Sequence, residues 1–480
     1  MRLLQDNFKF VDLFCGIGGF HLAMQRLGGE CVLACDIDPE NKRVYEAKFN
    51  QNNKIRFVNN IRELTRREDT PGGISLTSDD VDNLVPNHDV LCGGFPCQPF
   101  SKSGKQEGNS DKTRGTLFHD ILQIINAKRP KIIFLENVKN LAGPRHIDTW
   151  NTIKASIGEM GYHVATNDIH EPLVFSPHWL SPDLGGRPQA RERVFILAVR
   201  KDIEYSEENV ANLVASWDLL RKRSSGDGSP VLWDTNSWDL TDYLDHNPDI
   251  KYDISPTESK YFEAWGYFLA HLEQTTLPGT PIWVFALKDD PEIHNSMALW
   301  EKRFRIFNSN FYKENKKFID SWKNMKWGDK AERISDFPRS RQILEWQADP
   351  KSNSKTKGKV PLTTQDRDLS RLIMQLRPSG IRVKRPTYAP ALVAITQTTV
   401  LGSSLSKKRK VARSLTPEEC CRLQGFPDNF FDAIPTSDRI KYRQLGNAVC
   451  VTLVERIMGI LIGSYPPLRI NNRRDVEWVK

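Results

Sequence analysis

The chain has 480 residues, 39% of them hydrophobic, with a mean hydropathy of −0.51, a formal net charge of +8 and a pI near 8.9. That length accommodates two or more domains with substantial cores, and no apolar run approaches the roughly 18 residues of a membrane span, which argues against a membrane protein. The mild basicity permits an anionic partner such as nucleic acid without demonstrating one.

In chain order, residues 8–14 read as a buried strand, followed by a helix at about 19–27 closed by Gly28 and Gly29. CVLACD (31–36) reads as a second strand. Asp38 as N-cap, with Pro39 at the first helical position, then starts a helix that runs to about Phe49. Further strands fit residues 55–58, 89–94, 131–135 and 193–199, and helices fit 116–128 and about 147–160. This alternation predicts a parallel α/β sheet. It is lost after residue 200, where nine of the twelve tryptophans lie between Trp217 and Trp346. So much aromatic surface requires burial, and residues 201–412 are read as a separate domain. Near its end SSLSKKRK (403–410) reads as an exposed basic loop. From residue 413 order returns. Thr416 and Glu419 form a capping box around Pro417, Gly425 closes that helix, and a last helix is expected at about 448–461, with Val449, Leu453, Val454 and Ile457 on one face. Residues 413–480 are too few to stand alone and are expected to complete the domain begun by 1–200.

The opening MRLLQDNFKF has no long apolar stretch and no small-residue cleavage site, so no secretory leader is expected. The eight cysteines (15, 31, 35, 92, 97, 420, 421 and 450) make no paired CxxC pattern. Neither a metal site nor disulfides are expected of them.

Four runs carry chemistry. Phe14-Cys15-Gly16-Ile17-Gly18-Gly19 lies between a strand and a helix, where glycines let backbone approach a ligand closely. Asp36 ends the next strand, about twenty residues on, where a ribose hydroxyl would be held. A nucleoside cofactor follows from that pair, with a ligand-free tight turn as the alternative. In Gly93-Gly94-Phe95-Pro96-Cys97-Gln98-Pro99-Phe100 two prolines bracket a cysteine just past a strand. Proline fixes φ, so the thiol is aimed from the end of the sheet where ligands bind; the alternative is an inert buried cysteine. Glu136-Asn137-Val138 ends an apolar strand, and a poorly solvated glutamate there has a raised pKa suited to a general acid. In Gln189-Ala190-Arg191-Glu192-Arg193, the two arginines lie two apart and would point the same way in an extended segment. They suit a carboxylate, a phosphate or a base edge. Ordinary solvated charges are the alternative for both of these last runs.

Together these runs resemble the DNA (cytosine-5) methyltransferase family. DLFCGIGGF is similar to its first cofactor motif, GGFPCQPFS to its nucleophile motif, ENV to its glutamate motif and QARER to its arginine motif; LTPEECCRLQGFPDNF and QLGNAV resemble its last two. The resemblance covers residues 8–200 and about 413–462. It implies a class I S-adenosylmethionine-dependent methyltransferase fold, Rossmann-like with a mostly parallel seven-stranded sheet, plus a separate target-recognition domain. It implies that Cys97 attacks C6 of a flipped cytosine, that Glu136 supplies a proton at N3, that Arg193 contacts O2 and that Arg191 orders the nucleophile region. It assigns the cofactor S-adenosylmethionine, released as S-adenosylhomocysteine, to Phe14, Gly16, Ile17, Gly18, Asp36, Ile37, Asn60, Ile61, Gly94, Pro96, Asn447 and Ala448. Asn60 departs from the aspartate usual in the family. Double-stranded DNA is assigned to Gln98, Ser101, Lys105, Arg114 and Gln189, and to Arg382 and Lys384 in the basic stretch 377–390; Lys102 lies in the same loop as Lys105.

Three alternatives compete with this reading. An RNA cytosine-5 methyltransferase shares the chemistry but has a smaller recognition region and a different pattern after the cysteine. A catalytically lapsed DNA-binding protein would not need Cys97, Glu136, Arg191 and Arg193 intact. A nicotinamide oxidoreductase leaves Cys97 and QARER without a role. A single catalytic unit with a large recognition domain resembles bacterial or phage restriction-modification enzymes. That implies a cytoplasmic, nucleoid-associated monomer, with no membrane attachment, paired in function with a restriction endonuclease.

Overall fold

The computed structural model describes residues 4, 7–67, 74–96, 116–167, 171–203, 207–221, 233–273, 277, 280–348, 365–394, 398–406 and 410–465. The chain divides into two compact units. Unit 1 comprises Met1–Ser237, Ala391–Ile395 and Cys420–Lys480, and unit 2 comprises Trp238–Pro390 and Thr396–Glu419.

Unit 1 is built on one sheet of eight strands: β1 (Lys9–Leu13), β2 (Glu30–Cys35), β3 (Arg56–Val58), β4 (Val90–Gly94), β5 (Ile132–Val138), β6 (Tyr162–Val164), β7 (Leu173–Phe175) and β8 (Arg193–Arg200). The order is β3-β2-β1-β4-β5-β8-β6, with β7 also paired to β8. Pairs among β3, β2, β1, β4 and β5 are parallel, whereas β8 runs antiparallel to β5, β6 and β7. Phe195 pairs with Glu136 on one edge and Leu173 on the other, so β6 and β7 share one place in line. The sheet therefore has seven places and a single reversed strand, the α/β arrangement the alternation predicts. Its central strands are buried on both faces, which is why they read as continuous apolar runs. Val11, Leu13, Leu91, Ile133 and Leu135 meet Ile121, Ile125, Trp150 and Ile153 of the helices Leu117–Lys128 and Ile147–Glu159. Each such side chain contributes roughly 1.5–3 kcal/mol by leaving water.

The helix ends follow local chemistry. Asp38 caps Pro39–Phe49 by accepting from Glu40 N at 2.9 Å, and Thr116 caps Leu117–Lys128. A buried ion pair, Arg66 Nε to Asp120 Oδ1 at 2.7 Å, ties that helix to the turn after β3.

Of the C-terminal segment, Cys420–Lys480 belong to unit 1, where Arg26 pairs with Glu455 at 3.2 Å, and residues 413–419 belong to unit 2. After the expected helix Pro417–Gln424 the segment holds two helices where one was expected, Asp438–Asn447 and Val451–Leu461, because the chain is extended at Ala448 and Cys450. Taken as one stretch, Asp438–Leu461 is long and apolar enough to cross a membrane, yet 89% of its apolar window is buried. The helix Glu207–Arg221, expected in the second domain, belongs to unit 1, where Trp217 Nε1 donates to Val174 O at 2.9 Å.

Unit 2 is mixed. A six-stranded sheet comprises β9 (Ile282–Trp283), β10 (Ile343–Gln347), β11 (Ile373–Arg377), β12 (Gly380–Lys384), β13 (Thr399–Leu401) and β14 (Arg413–Ser414). Its order is β9-β10-β12-β11-β13-β14. One face packs on the helices Pro256–His271, Leu299–Glu314 and Lys316–Asn324 through Trp265, Phe268, Phe311, Trp322 and Trp346. That core accounts for part of the tryptophan density of the region.

Candidate active site

The glycine turn after β1 runs through left-handed backbone, at φ 54° for both Phe14 and Gly16 and 87° for Gly18. Among the described residues, a Cβ added to Gly16 would meet nothing within 4 Å, whereas one on Gly18 would lie 2.3 Å from Phe49 Cε2. Gly16 thus borders open space and Gly18 a packed ring. Asp36, just past β2, is fixed beside this turn. Gly16 N donates to Oδ2 at 2.8 Å; Asp38 N and Asn41 Nδ2 donate to Oδ1 at 2.9 and 3.1 Å. Burial raises its carboxyl above the ordinary range, and those donors pull it back down. Next to it Ile37 is 74% exposed, an apolar side chain in the open. Asn60 caps the turn Ile61–Leu64, its Oδ1 accepting from Arg62 N at 3.1 Å and its N donating to Glu63 Oε1 at 3.0 Å. Ile61 belongs to the core.

The C-terminal segment closes on the same end of the sheet. Gln444 Nε2 donates to Glu40 O at 3.1 Å, and Arg443 Nη2 lies 2.8 Å from Asp38 Oδ2. These contacts bring the end of that helix, with Asn447 and Ala448, back toward the Asp36 region. A Cβ on Gly19 would lie 2.7 Å from Val449 Cγ2, so the first and last motifs are in direct contact.

The second cluster is at the ends of β4 and β5. Gly93 is obligatory, because a Cβ there would lie 2.4 Å from Leu13 O. Gly94 is the register partner of Glu136, and its Cβ would lie 3.3 Å from Glu136 Oε2. The carboxylate therefore lies against the strand end that leads through Phe95 and Pro96 to Cys97. Cys97 itself lies outside the described residues, with Gln98, Ser101, Lys102, Lys105 and Arg114. Glu136 is buried, and Arg193 Nε approaches Oε1 at 2.9 Å. Burial raises its carboxyl above the usual range, against the opposing pull of Arg193 and Arg191. Arg191 is buried and donates to Leu392 O at 3.1 Å and Gly446 O at 3.0 Å. Burial, with Arg193 beside it, lowers its guanidinium to about 9.

Two side chains depart from the reading of the motifs. Gln189, assigned above to DNA, is fully buried. Its Nε2 donates to Leu423 O at 2.9 Å and its Oε1 accepts from Leu392 N at 3.2 Å, so the amide is consumed in packing unit 1. Asn137, given no role above, is 1% exposed and donates from Nδ2 to Phe95 O at 3.0 Å. It clamps the backbone two residues before Cys97. Its signal was a polar amide in a strand otherwise apolar up to Glu136, since such groups are buried only with partners.

Arg382 and Lys384 lie on β12 of unit 2, partly exposed. Among the described residues no group of three or more His, Cys, Asp or Glu is arranged to hold a metal.

Comparison with known proteins decides the family. The profile of C-5 cytosine-specific DNA methylases matches residues 8–462. The chain belongs to this family. It is a DNA (cytosine-5-)-methyltransferase by that membership. The type II methyltransferase M.AluI of Cellulosimicrobium cellulans is 32% identical over 531 residues, spanning 95% of this chain and 92% of that protein. M.HhaI of Haemophilus parahaemolyticus is 36% identical over 197 residues, covering 41% of this chain and 50% of its own length. The DNA-cytosine methyltransferase of Escherichia coli K12 is 27% identical across 95% of this chain and 77% of that one. Among solved structures, S. pombe Dnmt2 methyltransferase aligns over 95% of this chain and 99% of its own, at 15% identity and a TM-score of 0.48.

Proposed function

We propose that this methylase transfers a methyl group from S-adenosylmethionine to C5 of a flipped cytosine in a specific double-stranded DNA sequence, through a covalent Cys97–C6 adduct. The observation that carries the reading is Glu136: a buried carboxyl of raised pKa, held by Arg193, against the strand end that delivers Cys97.

The residues fit the donor. Open space beside Gly16, the fixed Asp36 carboxylate and the exposed Ile37 suit, respectively, close approach of a ligand, a ribose diol and an adenine face. Phe14, Ile17, Gly18, Asn60, Gly94, Pro96, Asn447 and Ala448 complete the proposed set, with Ile61 acting from within the core. When bound, S-adenosylmethionine supplies an electrophilic methyl group on its sulfonium and departs as S-adenosylhomocysteine.

The chain's own groups do the rest. C5 of cytosine is a poor nucleophile, and the Cys97 thiolate remedies this by forming a bond to C6. The C5–C6 π electrons shift into the ring as Glu136 delivers its proton to N3, so C5 becomes an enamine carbon. Arg193 holds O2, Arg191 fixes Leu392 and Gly446 behind it, and Asn137 holds the backbone that carries the thiol. Once C5 carries the methyl group, a base takes the C5 proton. The electrons of that C–H bond restore the C5–C6 double bond and expel the Cys97 thiolate, while the N3 proton returns to the Glu136 carboxylate. The target base must leave the duplex to reach this pocket, at a cost of roughly a few kcal/mol.

Relatives named type II methyltransferases support a further step: the chain is the modification enzyme of a restriction-modification system. It acts in the cytoplasm as a monomer beside an endonuclease of the same specificity. The test is a duplex carrying 5-fluorocytosine, whose C5 cannot lose a proton, so the adduct persists. Wild type with S-adenosylmethionine should give an SDS-resistant protein–DNA complex, absent for Cys97→Ala. Adducts on RNA of the same sequence but not on DNA would replace this reading with the RNA enzyme.

A further inference from the structure

Between β7 and the arginine motif the chain makes an excursion, residues 176–188, that the reaction scheme above does not use. Its stem is sealed. Trp179 N donates to Ser176 O at 3.1 Å, and Arg187 N donates to Pro177 O at 3.1 Å. A Cβ on Gly186 would overlap Leu180 O, so the two legs lie in close contact. The tight turn Pro177–Trp179 opens the excursion, with Ser176 before it and His178 at its centre.

Ser176 follows Phe175, whose register partner on β8 is Arg193. That position sets its hydroxyl beside the arginine motif. Arg191 N donates to Ser176 Oγ at 3.0 Å, and Oγ lies 2.8 Å from His178 Nδ1. Among the described residues Oγ has no third partner. A backbone amide can only donate, so one lone pair of Oγ is spent on Arg191. The hydroxyl proton then goes to Nδ1, and the neutral ring carries its own proton on Nε2. Ser176, His178 and Arg191 are 0%, 8% and 2% exposed, so this relay is closed to water. The pair is therefore no nucleophilic dyad, since no substrate reaches a hydroxyl that water does not.

Arg191 is where the relay acts on the reaction. Its guanidinium spans Leu392 O and Gly446 O, while Ser176 fixes its backbone. Two residues on, Arg193 Nε meets Glu136 Oε1 at 2.9 Å. Residues two apart in extended chain point the same way, so a slip of the backbone at Arg191 is passed to Arg193. We propose that Ser176 and His178 are positioning residues for methyl transfer: the imidazole orients the hydroxyl, the hydroxyl fixes the Arg191 amide, and Arg193 is thereby held on Glu136 and the target base. A displacement of about 1 Å at a reacting centre costs roughly 100-fold in rate. The proposal rests on the cytosine-5 reading of the site given above.

The test is methyl transfer by the full chain to unmethylated plasmid DNA, with kcat and KM for DNA read separately. His178→Asn keeps an acceptor where Nδ1 now stands, whereas His178→Gln carries its amide out to the place of Nε2. Both replacements are polar, so the pair separates the position of the hydrogen bond from the integrity of the fold. His178→Asn should stay within about threefold of wild type, and His178→Gln should lose about 10- to 100-fold in kcat with KM for DNA within about twofold. Ser176→Ala should match His178→Gln, and the double variant should fall no further, because the two side chains act in series. A pair that served the fold alone would lower the unfolding midpoint of both His178 variants alike and leave the rate per folded molecule unchanged. That outcome, equal rates for the Asn and Gln variants, or losses that add in the double variant would overturn the proposal. Wild type that transferred no methyl group to cytosine would instead bring down the underlying reading, and the proposal with it.

Discussion

Replacing Glu136 by Gln isolates the proton from the shape. The amide keeps an oxygen where Oε1 now meets Arg193 Nε at 2.9 Å, and burial already disfavours the charged carboxylate. Unfolding stability should therefore change by no more than about 1.5 kcal/mol. Catalysis should suffer far more, because the amide has no proton to deliver to N3. A positioned general acid contributes roughly 100- to 10,000-fold, which at about 1.36 kcal/mol per decade is about 3–5 kcal/mol of barrier. The pH profile carries the sign. The folded pKa is raised, so the competent protonated form is present below it and is lost as pH rises through it. Wild-type turnover should fall on the alkaline side of a limb above the ordinary carboxylate range, and that limb should vanish in Glu136→Gln. The assay is single-turnover transfer of labelled methyl at saturating DNA across pH. A loss of under about threefold, or an alkaline limb that survives in the mutant, would refute the reasoning.

Three other outcomes follow. Asn137→Ala should lower kcat by about 10- to 100-fold with little change in KM for DNA, since it frees the Phe95 carbonyl and misplaces the thiol rather than removing a DNA contact; a change confined to KM would reject the clamp. Asp120→Ala strands the buried Arg66 guanidinium and should cost about 3–5 kcal/mol in urea unfolding; a loss under about 1 kcal/mol would contradict the burial of the pair. His21 is buried against Tyr45, its Nδ1 2.6 Å from the hydroxyl, and burial lowers its pKa to about 3. A depressed histidine adds stability that is fully present above its unfolded value and lost as pH falls toward about 3. Between pH 6.5 and 5 the chain should lose about 2 kcal/mol through this group, and His21→Gln should flatten that part of the stability curve, read from urea midpoints.

The part of the fold legible in the sequence is the part where burial is two-sided. β1, β2, β4, β5 and β8 are apolar runs because neighbours cover both faces, and their ends fall within a few residues of the expected ones. β6 and β7 were missed because each has three residues and only one neighbour in register, too short for a period to show. The helix Asp438–Asn447 was missed because its face is mostly polar: Gln444 and Arg443 are spent on Glu40 and Asp38, contacts about 400 residues away in sequence. The same long-range closure explains Gln189. A polar residue in a polar run reads as surface, and only the fold reveals Leu392 and Leu423 waiting for its amide. Glu136 was legible because its neighbours along the strand dictate its burial. The clamp by Asn137 and the grip of Arg191 on Gly446 were not, since both depend on what the next strand or the distant C-terminus brings alongside.

The most direct test of the account is to give the chain tritiated S-adenosylmethionine and unmethylated genomic DNA, wild type beside Cys97→Ser, and to map the product by base-resolution sequencing. The account predicts label at C5 of cytosine in one short motif for wild type and none for the mutant. Label that persists in Cys97→Ser, or that falls on an exocyclic amine or on tRNA, would contradict it.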